Sequence, residues 1–222
     1  MSKRPQEDQV FGKHRLPASA MSLVLQVEPE YWELRFSRSR FRRIEEDYDI
    51  LSRRTLKAQL LVDGDLAGSF LFHEYRFAPL LGSDELMDCA DNYSSSLVDL
   101  MHAICEAWPE PFEVVDYGTV VELERAWMAP KHSRSRRFEQ AVGTLTELFS
   151  DRALLMLKAF PLEYEGDLNA GNHGAFTRRQ AAMMRHYRST MGVERLPGTA
   201  GDEGWMFALR PDLAEVVRPP QS

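Results

Sequence analysis

Cysteine is scarce in this chain: Cys89 and Cys105 are the only two in 222 residues. Neither stands in a CxxC or Cys/His spacing, and both fall inside one stretch of helical periodicity, two turns or more apart. That arrangement argues against a disulfide or a structural zinc site and predicts buried thiols; no metal is expected. Long apolar runs are missing too. None approaches the roughly 18 residues of a membrane span, and the opening MSKRPQEDQ lacks the apolar block of a signal peptide. The expectation is a cytoplasmic protein with no membrane partner. Internal repeats and low-complexity segments are also absent.

Basic residues are nearly missing from one long stretch of the chain. From Leu61 to Glu124 there are fourteen acids against one base, Arg76, whereas from Arg125 to Arg188 there are eleven bases against six acids. The net charge of −7 argues against bulk nucleic-acid binding, but the sign change at 124/125 marks a place where an anion and a cation are drawn to opposite sides.

With 44% hydrophobic content the chain can bury one sizeable core. One domain is expected over 21–212, after a polar lead-in over 1–20 and before a tail over 213–222. Ser22–Val27 reads as a first strand. Tyr31–Arg54 mixes aromatic and aliphatic residues with many charges and predicts one or two amphipathic helices. Within it RFSRSRFRR carries Arg35, Arg38, Arg40, Arg42 and Arg43, either a solvated face or a contact for an anion or RNA. Leu56–Tyr75 is a hairpin, two strand-like runs around an Asp-Gly turn.

Asp84–Trp108 has one apolar stripe at three- and four-residue steps and predicts a long helix, with Ser83 as its N-cap and Pro109 and Pro111 as its stop. Val114–Met128 is strand-rich, with a break near Tyr117 and Gly118. Simple alternation there puts Glu122, Glu124, Ala126 and Met128 on one face and Val121, Leu123, Arg125 and Trp127 on the other. A helix from about Arg136 to Ser150, a buried strand within Arg152–Pro161, a loop over 162–175, a helix over Phe176–Met191 closed by Gly192, and two short strands within 193–209 complete the chain.

The stretch VVELERAWMAPKHSRSRRFEQAVGTLTELF, residues 120–149, is therefore a strand, a Pro-marked turn, an acid-free basic segment and a helix. Free N–H groups and the helix dipole make such a junction an anion site, to which Lys131, Arg134, Arg136 and Arg137 add full charges.

The order of elements, with MMRHYRSTMGVERL and GWMFAL near the end, resembles the GNAT superfamily of N-acyltransferases over roughly residues 20–210. LERAWMAPKHSRSRRFEQAVGTLTELF is similar to that family's acyl-CoA motif. The resemblance implies an α/β fold, a central mixed sheet flanked by helices, with an extra helix at about 84–108. It also implies acetyl-CoA as co-substrate, held between the strands at 120–128 and 153–160. Backbone groups at Trp127 and Met128 would pair with the pantetheine, and those of Arg134, Ser135, Arg136, Arg137, Phe138 and Glu139 would cradle the pyrophosphate. Tyr187 matches the tyrosine that protonates the departing thiolate. Glu122 is preferred as the base that accepts the amine's proton, with Glu124 as the alternative.

One departure stands out: the family's loop has two small positions where this chain has Arg137 and Glu139, and glycine there lets backbone close on a phosphate. Two functions follow from this. The first is an acyl-CoA-dependent N-acyltransferase, in the first place an N-acetyltransferase, acting on a small-molecule or protein amine by direct attack on the thioester; the second is a catalytically degenerate GNAT-fold binding or regulatory protein that does not use CoA. A nucleic-acid contact through Arg35–Arg43 and a homodimer stay open as partners.

Overall fold

The structure is a computed structural model that describes residues 21–27, 30–44, 50–80, 82–132 and 136–219. The expected lead-in over 1–20 lies outside the described residues. The first strand, β1 (Met21–Val27), pairs antiparallel with β2 (Glu30–Arg38), and after the two-residue β3 (Arg42–Arg43) the chain returns as β4 (Leu51–Val62). The described part of Tyr31–Arg54 is thus strand where helix was expected. The reason is visible at Trp32, Leu34 and Phe36: they are buried at every second position, while Arg35 between them is exposed. A period of two buries one face of a strand, whereas the same spacing would scatter around a helix.

The Asp-Gly turn behaves as expected. Asp63 and Gly64 both have positive φ, 51° and 85°, which suits a tight turn between β4 and β5 (Asp65–Phe77). The long helix is instead two helices, α1 (Ser83–Asp91) and α2 (Ser95–Ala107). Ser94 breaks it by leaving the helical region, φ −167°, and accepting a hydrogen bond from the Leu97 N–H. Such a serine caps a new helix more favourably than it continues an old one. At the other end, the Glu85 carboxylate accepts from the Gly82 N–H at 2.9 Å, so Gly82 rather than Ser83 holds the cap position. The two cysteines consequently lie on different helices, Cys89 buried and Cys105 only half-buried.

Residues expected to start the next strand form a short helix, α3 (Phe112–Val115), and β6 begins only at Thr119 and runs to Met128. Then come α4 (Arg137–Glu147), β7 (Arg152–Lys158), α5 (His173–Met191), β8 (Glu194–Arg195), α6 (Gly198–Asp202) and β9 (Trp205–Leu209). Gly192 closes α5 in the left-handed region at φ 66°, as expected of a C-cap glycine. The nine strands form one mixed sheet in the order β1-β2-β4-β5-β6-β7-β9-β8, with β3 beside β4 off this path. Within it β6 and β7 are the parallel pair, joined through α4 as a strand-helix-strand unit. The fold is the expected mixed α/β sheet flanked by helices.

Helices cover both faces. On one, α1, α2, α3 and α6 bury Leu86, Leu100, Ile104, Val114 and Ala200 against Tyr75, Val120, Leu154 and Met156. On the other, α4 and α5 bury Phe138, Val142, Leu145 and Tyr187 against Phe70, Phe72, Val121, Leu123 and Leu155. The alternation of β6 and β7 between the two clusters is what a strand covered on both sides requires. Residues 213–219, expected as a loose tail, pack on the first face. Leu213 and Val217 are buried, and the Trp108 indole N–H donates to the Val217 carbonyl at 2.6 Å.

One irregularity in β6 matters for everything that follows. His73 faces Glu122 and Phe72 faces Leu123, but Leu71 faces Arg125, so Glu124 is an extra residue opposite no partner. A bulge of this kind turns the rest of the strand over by one step. Ala126 and Met128 therefore join Val121 and Leu123 on the α4–α5 side, away from Glu122. The even alternation expected from the sequence, with Glu122, Glu124, Ala126 and Met128 together, is corrected by that single residue.

Candidate functional site

The parallel pairing of β6 and β7 stops at Leu123 and Leu157, yet β6 continues to Met128 while β7 ends at Lys158. Residues 125–128 keep β5 on one side, and 124–128 have no β7 neighbour on the other. Beside them opens a cavity of ≈ 780 Å³ whose lining includes Glu122, Glu124, Trp127 and Met128 of β6, Phe138 of α4 and Tyr187 of α5. The sheet is thus open between its two central strands, and both helical layers reach the opening. Of the residues expected at the site, these six meet in one cavity.

Two carboxylates mark its floor, and their surroundings differ. Glu122 is only 7% exposed, and its Oε2 accepts from the Tyr75 hydroxyl at 3.0 Å. Burial pushes its pKa up to about 7, with the nearby negative charge of Glu124 adding to the rise and the Tyr75 hydrogen bond opposing it. Glu124 goes the other way. The His73 ring, whose Nε2 is 2.5 Å from Glu124 Oε2, holds its carboxyl below the usual range against the effect of burial. One of two neighbouring acids is therefore poised to exchange a proton near neutrality, and the other stays an anion.

Tyr187 stands on α5 at 9% exposure, its ring 6.0 Å from that of Phe138 and 5.9 Å from that of His186. Burial pushes its pKa up to about 12, so the hydroxyl keeps its proton at any ordinary pH and can only be a donor. The amphipathic spacing of α5 brings it there: Phe176, Gln180 and Tyr187 face inward, and Gln180 Nε2 fixes the helix by donating to the Glu203 carbonyl at 2.8 Å.

The basic junction is arranged otherwise than expected. Arg134 and Ser135 lie outside the described residues. Arg136 occupies the cap position of α4 with helical dihedrals and no side-chain cap, and it is exposed. An Arg137 guanidinium nitrogen lies 2.7 Å from His132 Nδ1, and Glu139 is an exposed acid in the first turn of α4. Arg136, Arg137 and Glu139 do not line the cavity.

The cations that do reach it are each engaged by an acid. Arg125 pairs with Glu165 at 3.3 Å, Lys158 with Glu203 at 3.1 Å and Arg179 with Glu163 at 3.2 Å. Five of the lining residues are acidic and three are basic, so the cavity carries a negative excess. Among the described residues no group of His, Cys, Asp and Glu is placed to hold a metal, and no helix is long and apolar enough to cross a membrane.

At least two of the five arginines of the expected contact are engaged within the molecule. Arg35 pairs with Glu33 at 2.8 Å, and Arg38 turns inward to Glu74 at 2.7 Å, leaving Arg40, Arg42 and Arg43 exposed. Sequence reasoning missed His73 and Tyr75. Their signal was present in the hairpin, where they alternate on one face of β5, but nothing local to SFLFHEY says that Glu122 and Glu124 lie across from them.

No family model matches the chain, and no curated protein matches it. Among solved structures, a mutant agmatine N-acetyltransferase in its apo form is similar at 10% identity and a TM-score of 0.38, over 69% of this chain and 76% of that one. Likeness at that level assigns no chemistry to the residues of the cavity.

Proposed function

We propose that this chain is an acyl-CoA-dependent N-acyltransferase, with acetyl-CoA as the simplest donor, in which an amine attacks the thioester directly. The observation that carries the reading is the opening between β6 and β7, with a carboxyl that titrates near 7 on one side and a protonated tyrosine on the other. Glu122 accepts the proton that the ammonium form of the substrate must lose before its nitrogen can attack. A base of that pKa is matched to neutral pH, where half of it is ionised and half-ready to act. The nitrogen then bonds to the thioester carbon as the C–S bond breaks, and Tyr187 gives the leaving sulfur a proton. A second N–H proton, shed by the new amide, restores the tyrosine. The net transfer is one acyl group to nitrogen and one proton to sulfur, with the proton taken by Glu122 released to solvent.

Two further features fit. Residues 124–128 leave backbone N–H and C=O groups free of a β7 partner, which suits an extended chain of amides such as pantetheine laid along the strand. The negative excess of the cavity favours a cationic amine over an anionic acceptor. The substrate is a small-molecule or protein amine, since both present the same primary amine; a cytoplasmic setting suits either.

A second reading is favoured by the junction: Glu139 in the first turn of α4 repels a pyrophosphate where a small residue would admit it. On that reading the chain is a binding or regulatory protein of the same fold that does not use CoA. Calorimetry with acetyl-CoA separates the two. Micromolar binding followed by thiol release on adding a primary amine supports the transferase, whereas no heat and no rise in Tm at millimolar ligand leaves the binding protein in its place.

A further inference from the structure

The two cavity carboxylates are near each other, yet their environments keep their protons apart, and the cause lies outside the cavity. His73 sits on β5 with Thr55 across from it on β4 and Glu122 across from it on β6. Thr55 Oγ1 lies 3.0 Å from His73 Nδ1, and Glu124 Oε2 lies 2.5 Å from His73 Nε2. An ionised carboxylate offers no proton, so Nε2 must donate to it. In the neutral ring Nδ1 then accepts from the threonine hydroxyl, which fixes both the tautomer and the ring's orientation. The bulge at Glu124 is what brings that carboxylate to the histidine, since regular pairing would oppose His73 with Glu122 alone.

We propose that His73 is a positioning residue: oriented by Thr55, its ring keeps Glu124 an anion and so leaves the exchangeable proton of the pair to Glu122. This deepens the acyltransferase reading and rests on it for its catalytic meaning, although the division of the proton is a property of the free protein. The other charged and titratable groups that bear on the pair are few. Tyr75 and Arg53 act on Glu122; Arg125, 3.7 Å from Glu124 Oε1, and Arg53 act on Glu124. Tyr75 favours ionised Glu122 and Arg53 favours both anions, so neither assigns the proton to Glu122; Arg125 acts on Glu124 in the same sense as the histidine, but from 3.7 Å in a contact open to solvent, and more weakly than the His73 hydrogen bond. The histidine makes that choice because it reaches only one of the two acids.

Without the His73 donor, Glu124 loses the largest of the interactions that oppose its burial, and two like acids in mutual reach share one proton. The test is a titration of the free protein with 13C-labelled glutamate side chains, the two signals assigned through Glu122→Gln and Glu124→Gln. In the wild type the Glu122 signal moves near pH 7 and that of Glu124 below about 4.3, the ordinary glutamate value. In His73→Phe the Glu124 midpoint rises to that value or above it, and both signals acquire a shared step. His73→Gln, whose amide can still donate, returns Glu124 toward its wild-type midpoint. Thr55→Val, which keeps the ring but removes its anchor, moves Glu124 in the same direction by less and covers the case in which His73→Phe does not fold. A Glu124 signal that stays low in both His73→Phe and Thr55→Val overturns the proposal. The acyltransferase reading fails separately, through absence of acetyl-CoA binding and turnover in a wild type whose carboxylates still titrate apart.

Discussion

Glu74 and Glu122 are buried carboxylates on neighbouring strands, 1% and 7% exposed, and they point to opposite faces of the sheet. Glu74 faces the α4–α5 side and is surrounded by cations. Arg38 Nη2 donates to it at 2.7 Å, Arg54 donates from both Nε and Nη2, and the Thr119 hydroxyl adds a bond at 3.1 Å. Burial alone would raise its pKa, but the two arginines outweigh it and hold the carboxyl below the usual range. Glu122 receives a single neutral hydroxyl, and burial wins. The pair teaches that burial does not by itself make a base; what decides is whether the fold supplies a cation. Arg38 also donates from Nη1 to the Leu148 carbonyl at the end of α4, so the Glu74 cluster ties four strands to a helix terminus and belongs to the scaffold.

The sharpest way to break that contrast is Glu122→Gln. It removes the base and is expected to lower kcat/KM by ~10³-fold, within the range general-base catalysis supplies. Stability should move in the opposite sense. A carboxyl whose folded pKa is raised above its unfolded value binds a proton preferentially in the folded state, so its ionisation costs stability as pH rises from about 4.5 to about 7. Above that window the cost is on the order of 3 kcal/mol, and Glu122→Gln relieves it. Denaturant melts at pH 8 and pH 5 check this: a clear gain at pH 8 that shrinks by pH 5 is expected, and equal effects at both would count against a raised pKa.

Next in size is Glu74→Gln, which leaves Arg38 and Arg54 without their anion. The expected loss is about 3 kcal/mol, the low end for a broken buried pair because both arginines are partly exposed. Here the pH sign reverses. A lowered carboxyl contributes stability that is present above its unfolded pKa, about 4.5, and lost as pH falls through the folded one, so the deficit of Glu74→Gln should narrow in acid. CoA binding should survive wherever the variant is folded. Tyr187→Phe follows, with turnover lowered at least ~10-fold and little change in Tm, since only a hydroxyl is lost; unchanged turnover would remove Tyr187 from the mechanism. The smallest effect is that of Tyr75→Phe. It takes away the one hydrogen bond favouring ionised Glu122, so the acid limb of kcat/KM should move up by about one pH unit with turnover above pH 8 preserved.

Much of this was legible in the chain. The Asp-Gly hairpin, the β6-α4-β7 unit, α5 with its glycine cap and the last strand pair all follow from local spacing and turn chemistry, and with them Glu122, Glu124 and Tyr187. The arginine-rich stretch was misread because its apolar residues lie close enough to satisfy a helical spacing loosely, while the charges between them mask the period of two. The split of the long helix had a signal in Ser94, a residue that competes for backbone bonds, but the apolar stripe runs on across the break and conceals it. The pairing of His73 with Glu124 and of Tyr75 with Glu122 had none, because cross-strand register is a long-range property that SFLFHEY and VELERAW do not carry separately.

The extra residue at Glu124 acts as a phase shift in the strand. Upstream of it the odd positions are read by one helical layer, and downstream the even positions are, so a single strand addresses both sides of the protein on either side of one residue. Removing Glu124 would close the bulge and leave Ala126 and Met128 opposite Phe70 and Gly68, on the face they already occupy, while taking away the carboxylate that reaches His73. A residue added after the bulge would instead swing Ala126 and Met128 across the sheet together, so this stretch should tolerate exchanges of residue and resist insertion, a bias in kind of change that a substitution scan alone would never reveal.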